Sequence, residues 1–163
     1  IEPKYSETRV HCQLDSTAKG LLLLKDVKCK NTGITIDMGH SLQSQENPAQ
    51  SLVTIYESGF DAYIHTNDND TRADWDLVGA SRHLLHYVEL MFWAQEYNYD
   101  KYFTTDASPR IFGMVEFFER HSEITRGVYD LAAKLDHQKY KQLMAEENYI
   151  ELMKLVNKEI YRL

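Results

Sequence analysis

Short β-branched segments alternate with longer amphipathic segments along most of this chain, and this alternation constrains the fold more than any other feature. Strand-like segments begin near residues 1, 34, 62 and 102, and apolar residues with helical spacing follow each of them. Such alternation is typical of parallel βαβ units. We therefore predict an α/β fold of four βα units with C-terminal helices, either a small doubly wound sheet or part of a (β/α)₈ barrel.

Residues that favour helix ends indicate where the predicted helices begin. Either Asp15 or Ser16 is expected to cap the first long helix, and Asn47 precedes a proline that suits the first turn of the next. Ser81 is expected to cap a third long helix, after a polar loop. The remaining residues are predicted to be helical, with a break near Asp136.

The composition excludes several classes of protein. The chain has 163 residues, 43% of them hydrophobic, and a net charge of −7, which fits one globular domain. An acidic chain is a poor partner for nucleic acid or an anionic membrane, since either needs a basic face. The sequence shows neither a signal peptide nor an apolar run approaching the ~20 residues of a membrane span. Because Cys12 and Cys29 do not make a disulfide framework, we expect a cytoplasmic protein.

Side chains of the kind that ligate metals cluster at the predicted strand ends. They are Glu2 and Lys4 on the first strand, Asp37 and His40 at the second, His65 and then Asp74 and Asp76 after the third, and Asp106 after the fourth. In a parallel α/β fold the carboxyl ends of the strands face one crevice. Carboxylates and imidazoles without thiolates suit Mg²⁺, Mn²⁺ or Co²⁺, and the ligands outnumber what one ion needs.

Each of these residues also has an ordinary structural explanation. Asp37 could cap a helix, and His65 taken alone could be a hydrogen-bonded core histidine. Asp74 and Asp76 could belong to a solvated acidic loop. The metal hypothesis is favoured because every predicted strand ends in a ligand-type residue.

Four motifs in chain order resemble those of the xylose isomerase and rhamnose isomerase group. They are Ile1-Glu2-Pro3-Lys4 with Glu7 and Arg9, Ile36-Asp37-Met38-Gly39-His40 with Glu46-Asn47-Pro48-Ala49, Ile64-His65-Thr66-Asn67-Asp68 with Asp74-Trp75-Asp76-Leu77 and Gly79, and Phe103-Thr104-Thr105-Asp106 with Pro109 and Arg110. Asp37 and His65 look more like the L-rhamnose isomerase branch than the xylose branch.

The resemblance implies the second half of a (β/α)₈ TIM barrel over residues 1–135, with a C-terminal helical extension over 136–163. A complete barrel of this kind has eight strands and ~250 residues. The implied partners are therefore a missing N-terminal barrel half or a second copy of the chain, and we expect a homo-oligomer that binds a monosaccharide substrate.

The resemblance also implies roles for the clustered residues. One divalent ion would be held by Glu2, Asp37, His65 and Asp106, and a second by Asp37, His40, Asp74 and Asp76. Lys4 would lie beside the substrate carbonyl oxygen, and Lys4, Asp37 and His40 would be the catalytic residues. The implied reaction interconverts aldose and ketose by a metal-assisted hydride shift. A sugar epimerase of similar fold and a non-catalytic metal-binding or assembly fragment are the alternatives.

Overall fold

A computed structural model describes residues 1–109 and 113–163, and these residues form a mixed α/β fold with seven α-helices and a three-stranded parallel sheet. The strands are β1 (Ser6–Glu7), β2 (Val10–His11), β3 (Gly33–Asp37), β4 (Asp61–Thr66) and β5 (Phe103–Thr105). The helices are α1 (Thr17–Val27), α2 (Met38–Gln43), α3 (Pro48–Glu57), α4 (Leu84–Glu96), α5 (Met114–Ala132), α6 (His137–Ala145) and α7 (Tyr149–Val156), followed by a π-helical turn (Asn157–Tyr161).

The parallel sheet has the order β3-β4-β5, which follows the chain. Asp37 pairs with His65 across β3 and β4, and Thr66 pairs with Thr105 across β4 and β5. This register brings the carboxyl ends of all three strands to the same edge. The prediction of parallel strand–helix units is confirmed for these three strands.

The predicted first strand is present only as a short segment beside β3. Ile1 accepts a hydrogen bond from the Thr35 amide at 2.7 Å, and its ammonium group donates to the Gly33 carbonyl at 2.9 Å. This is the pattern of a parallel pair. The chain then turns into the antiparallel hairpin of β1 and β2. A fourth full strand is therefore absent from the described residues, because the chain leaves β3 after this contact.

Local capping residues define several of the helix starts. Ser16 caps α1 and Asn47 caps α3, as predicted, each through a side-chain oxygen that accepts a backbone hydrogen bond. Asp136, where a break was predicted, caps α6 in the same way. The prediction for Ser81 is wrong, since α4 begins only at Leu84.

A distant carboxylate explains the later start of α4. The backbone amides of Arg82 and His83, directly before α4, donate to Asp68 Oδ2 at 2.8 and 3.0 Å, so Asp68 satisfies the two donors that precede the helix.

The apolar core lies between the sheet and the helices. Ile34, Ile36 and Ile64 of the strands are at most 2% exposed, and they pack with buried residues of α1, α3 and α4. The segment 136–163 packs back onto this core, where Ile160 is buried. None of the helices in residues 1–109 and 113–163 combines the length and the apolar composition needed to cross a bilayer.

Candidate metal centre

The strand register and the N-terminal segment together assemble the first group of candidate ligands. Glu2, Asp37, His65 and Asp106 each offer one ligand atom, and these atoms all lie within 4.8 Å of one another. His65 Nδ1 lies 3.1 Å from Asp106 Oδ2, 3.5 Å from Glu2 Oε1 and 3.9 Å from Asp37 Oδ2. The imidazole is therefore surrounded by three carboxylates.

A second group of candidate ligands shares Asp37 with the first. It consists of Asp37, His40 and Asp74, again with ligand atoms within 4.8 Å of one another. His40 Nε2 lies 3.1 Å from Asp74 Oδ2, and His40 Nδ1 lies 3.8 Å from Asp37 Oδ1. The two oxygens of Asp37 thus face different groups, which is the arrangement expected of a carboxylate that bridges two ions.

Asp37 also caps a helix, so the structural explanation and the metal hypothesis apply to the same residue. Its side chain is only 1% exposed, and Oδ1 accepts a hydrogen bond from the His40 amide at 2.9 Å at the start of α2. Each carboxylate oxygen carries two lone pairs. One hydrogen bond to Oδ1 therefore leaves that oxygen able to bind a cation.

Two buried polar atoms of the second group have no hydrogen-bond partner among the described residues. They are Nδ1 of His40, which lies 3.2 Å from Glu2 Oε1 without hydrogen-bond geometry, and Oδ1 of Asp74. Buried polar atoms are nearly always hydrogen-bonded, so each such exception requires an explanation. Imidazole nitrogen and carboxylate oxygen are both common metal ligands, so unpartnered atoms of these two types are what a cation site would present. The residues present therefore fit a metal ion.

The surroundings of His40 and Asp37 shift the pKa values of both side chains. Burial disfavours the charged form of His40, but Asp74, Glu2 and Asp37 outweigh that effect and raise the pKa of His40 to about 10. Burial raises the pKa of Asp37 to about 6, against the opposing effects of His40 and Asn67. Without metal at neutral pH, His40 therefore carries a proton that a metal ion must displace.

The remaining ligand candidates respond to the same cluster. The neighbouring imidazoles of His40 and His65 hold the pKa of Glu2 well below its usual range. The pKa of His65 is raised, chiefly by its hydrogen bond to Glu2. Burial opposes the ionisation of Asp74, but His40 and Lys4 outweigh it and lower the pKa of Asp74 to about 2. The pKa values of Glu2 and Asp74 are thus lowered and that of His65 is raised, because the carboxylates and the cationic side chains stabilise each other's charged forms.

Lys4 is adjacent to the second group. Its Nζ lies 3.0 Å from Asp74 Oδ2 and 3.0 Å from Glu7 Oε1. Partial burial opposes the charge on Lys4, but these two carboxylates outweigh it and raise the pKa of the ammonium group. Lys4 therefore remains protonated and close to the metal candidates.

One predicted ligand lies outside both groups. Asp76 has a left-handed backbone conformation with φ 49° and belongs to neither group of atoms that all lie within 4.8 Å of one another, although its carboxyl group contacts that of Asp74. Burial and the negative charges of Asp74 and Asp106 raise the pKa of Asp76 to about 6. The structure thus brings together every other predicted ligand. Arg110, which belongs to the fourth motif, lies outside the described residues.

Two asparagines of the site carried no predicted role. Asn67 and Asn69 follow β4 and are almost completely buried. Asn67 Nδ2 donates to Asp37 Oδ2 at 2.8 Å, and Asn69 Nδ2 donates to the Gly39 carbonyl at 2.6 Å. The available signal in the sequence was a pair of amides two residues apart directly after a buried strand.

The first group opens towards solvent. The side chains of Glu2 and Asp106 are 33% and 50% exposed, whereas Asp37 is buried beneath them. Among the described residues the ligand cluster is therefore more exposed at Glu2 and Asp106 than at Asp37.

Comparison with known proteins adds no family assignment, since no protein-family model matches the chain and no curated protein matches its sequence significantly. Its membership of the xylose and rhamnose isomerase group stays a prediction from the four motifs. The ligand geometry is independent evidence for metal binding alone.

Proposed function

We propose that this chain is the metal-binding part of a divalent-metal-dependent sugar isomerase that interconverts aldose and ketose. The observation that carries the proposal is the position of Asp37, whose two oxygens face two different groups of ligands. A carboxylate between two such groups favours a centre for two ions over a centre for one. The second group also weighs against the alternative of a one-metal sugar epimerase.

The ligand types indicate which ions would bind. The two groups contain carboxylates and imidazoles but no thiolate. Such sites suit Mn²⁺, Co²⁺ or Mg²⁺. When bound, two such ions would polarise neighbouring hydroxyl and carbonyl oxygens of a sugar and favour a hydride shift between adjacent carbons.

Lys4 would supply the positive charge that the isomerisation needs at the carbonyl oxygen. Its ammonium group is held by Asp74 and Glu7, and both keep it protonated. A fixed ammonium group stabilises negative charge that develops on an oxygen in the transition state. Lys4 is therefore the proposed electrostatic catalyst, whereas Asp37 and His40 act by holding the ions.

A further part of the barrel would complete the substrate pocket. Among the described residues β5 pairs with β4 alone, and Asp106 at the end of β5 is half exposed. An unpaired parallel edge is a favourable place for another strand to pair. The proposed partner is an N-terminal barrel half or a second copy of this chain, and a monosaccharide would bind between the two parts.

Metal binding and turnover test separate parts of the proposal. The full chain should bind close to two Mn²⁺ or Co²⁺ ions, and Asp37→Ala should abolish binding at both positions. Lys4→Ala should keep both ions and lower kcat about 10²- to 10³-fold in an aldose–ketose assay over a panel of sugars. The matched control is Asp61→Asn, because Asp61 is an exposed carboxylate whose partner is Lys101, remote from the ligand groups.

The outcomes separate the candidate functions. Unchanged metal binding by Asp37→Ala would contradict the proposed centre. Epimerised sugar as the product would favour the epimerase. Two bound ions without turnover in the assembled protein would favour a non-catalytic metal-binding module, which the exposure of Asp106 and Glu2 also fits.

A further inference from the structure

The side chain of Asn67 links the two segments that carry the central ligands. It is 1% exposed and lies directly after β4. Its Nδ2 donates to Asp37 Oδ2 at 2.8 Å, and its Oδ1 accepts from the Gly39 amide at 2.7 Å. The Gly39 amide can only donate, so the oxygen of Asn67 must face it and the NH₂ group must face Asp37.

This hydrogen bond limits how Asp37 can orient its carboxylate. Oδ1 accepts from the His40 amide and Oδ2 from Asn67, so one lone pair remains on each oxygen. Oδ1 lies on the side of His40, and Oδ2 on the side of His65. Without the Asn67 amide, the carboxylate could rotate and direct both oxygens towards one ion.

We propose that Asn67 is a positioning residue of the metal centre, whose amide holds Asp37 so that the carboxylate bridges two ions. This inference rests on the proposed two-ion site. Partners of a metal-ligating carboxylate or histidine typically affect metal affinity by about 10–100-fold when they are removed. The expected effect of Asn67 is therefore on metal binding, beyond any effect on folding.

Other contacts hold the same turn when the Asn67 side chain is removed. Asn69 Nδ2 donates to the Gly39 carbonyl at 2.6 Å, and Tyr87 Oη donates to the Asn67 carbonyl at 3.0 Å. Neither contact involves the amide of Asn67 itself. Variants at Asn67 are thus expected to keep the turn in place while releasing Asp37.

The test is a titration of the full chain with Mn²⁺, followed by electron paramagnetic resonance of the loaded protein. We expect wild type to bind two ions with the exchange-coupled signal of a carboxylate-bridged pair. Asn67→Ala should bind Mn²⁺ about 10–100-fold more weakly and lose the coupled signal. Asn67→Ser is the second variant, because its smaller polar side chain leaves room for water and does not reach both partners.

Asn47→Ala is the matched control. Asn47 also uses both ends of its amide, accepting from the Ala49 amide and donating to Glu89 Oε2, each at 2.9 Å. It caps α3, belongs to neither ligand group, and its side-chain hydrogen bonds go to Glu89 and to the first turn of α3. Its removal should lower stability while leaving both the Mn²⁺ affinity and the coupled signal unchanged.

Each result decides between the inference and its alternatives. The inference would be overturned if Asn67→Ala bound Mn²⁺ with wild-type affinity and kept the coupled signal. If the alanine variant does not fold, the same result in Asn67→Ser would overturn it. Equal losses in Asn47→Ala would show general destabilisation and would also overturn it. Wild type that binds fewer than two ions would refute the proposed two-ion site itself, and the role of Asn67 with it.

Discussion

The proton on His40 leads to a quantitative prediction about how metal affinity depends on pH. Only the neutral imidazole can ligate a metal, and the carboxylates around His40 raise its pKa to about 10. At pH 8, which is about two units below that value, removing the proton costs about 3 kcal/mol. Between pH 7 and 9 the dissociation constant for Mn²⁺ should therefore fall about tenfold for each pH unit.

Two further residues, His65 and Asp37, make the metal affinity fall more steeply as the pH is lowered. Glu2 raises the pKa of His65, so His65 keeps its proton to a higher pH than a free imidazole and must also lose it to bind a metal. Burial raises the pKa of Asp37 to about 6, so its carboxylate becomes protonated as the pH falls below that value. Metal affinity should therefore fall most steeply below pH 6, where all three groups bind protons.

Isothermal titration calorimetry measures both the affinity and the proton release. Mn²⁺ is titrated into the full chain between pH 6.5 and 9 in two buffers with different ionisation enthalpies. We expect at least one proton to be released at pH 8, and His40→Asn should release about one proton fewer. His137→Asn is the matched control, since His137 contacts Glu96 and the Ala132 carbonyl outside the ligand groups.

A dissociation constant that does not vary with pH would refute this reasoning, provided that Mn²⁺ binds. Binding at pH 8 without proton release would refute it as well. Equal proton release by wild type and His40→Asn would show that the displaced proton belongs to another group.

Four further predictions concern stability, and each is measured by chemical denaturation. Gly79→Ala should destabilise the fold by about 1–3 kcal/mol, because its Cβ would overlap the Tyr87 hydroxyl and lie 2.8 Å from Cζ. Gly127→Ala, in the open interior of α5, should instead stabilise it by about 1 kcal/mol, and equal effects of the two would contradict the steric argument. Metal-free protein should lose stability as pH rises from 7 to 10, because the folded pKa of His40 is raised above its unfolded value; stability that stays constant would contradict this. Asp68→Ala should cost about 2 kcal/mol or more by leaving two backbone amides at the start of α4 without an acceptor, and an unchanged midpoint would contradict that role.

Elements with local signals were predictable from the sequence. The caps Ser16, Asn47 and Asp136 act on amides at most three residues away, so their effect is encoded within one turn. The β-branched segment around Ile34–Ile36 also becomes a buried strand as predicted. The start of α4 was not predictable in this way, because its acceptor Asp68 is 14 residues away from Arg82.

In the candidate site, too, some features were predictable from the sequence and others depend on the folded chain. The residue types that follow each strand predicted which side chains could ligate a metal, and most of them do come together. Asp76 is in neither group, although its carboxyl group contacts that of Asp74, and its place beside the cluster depends on how the whole loop folds. The role of Asn67 was missed, since its amide acts on a carboxylate 30 residues earlier in the chain.

The sequence by itself therefore determines the strand pattern, the helix caps and the chemical types of the ligands, because each of these depends on residues close together along the chain. The sharing of Asp37 between two ligand groups depends instead on the pairing of β3 with β4, which sets Asp37 opposite His65. The protonation of His40 likewise depends on Glu2, Asp37 and Asp74, which separate chain segments bring together. Electrostatic interactions act through space, so their strength in this cluster follows from the folded chain and not from order along the sequence.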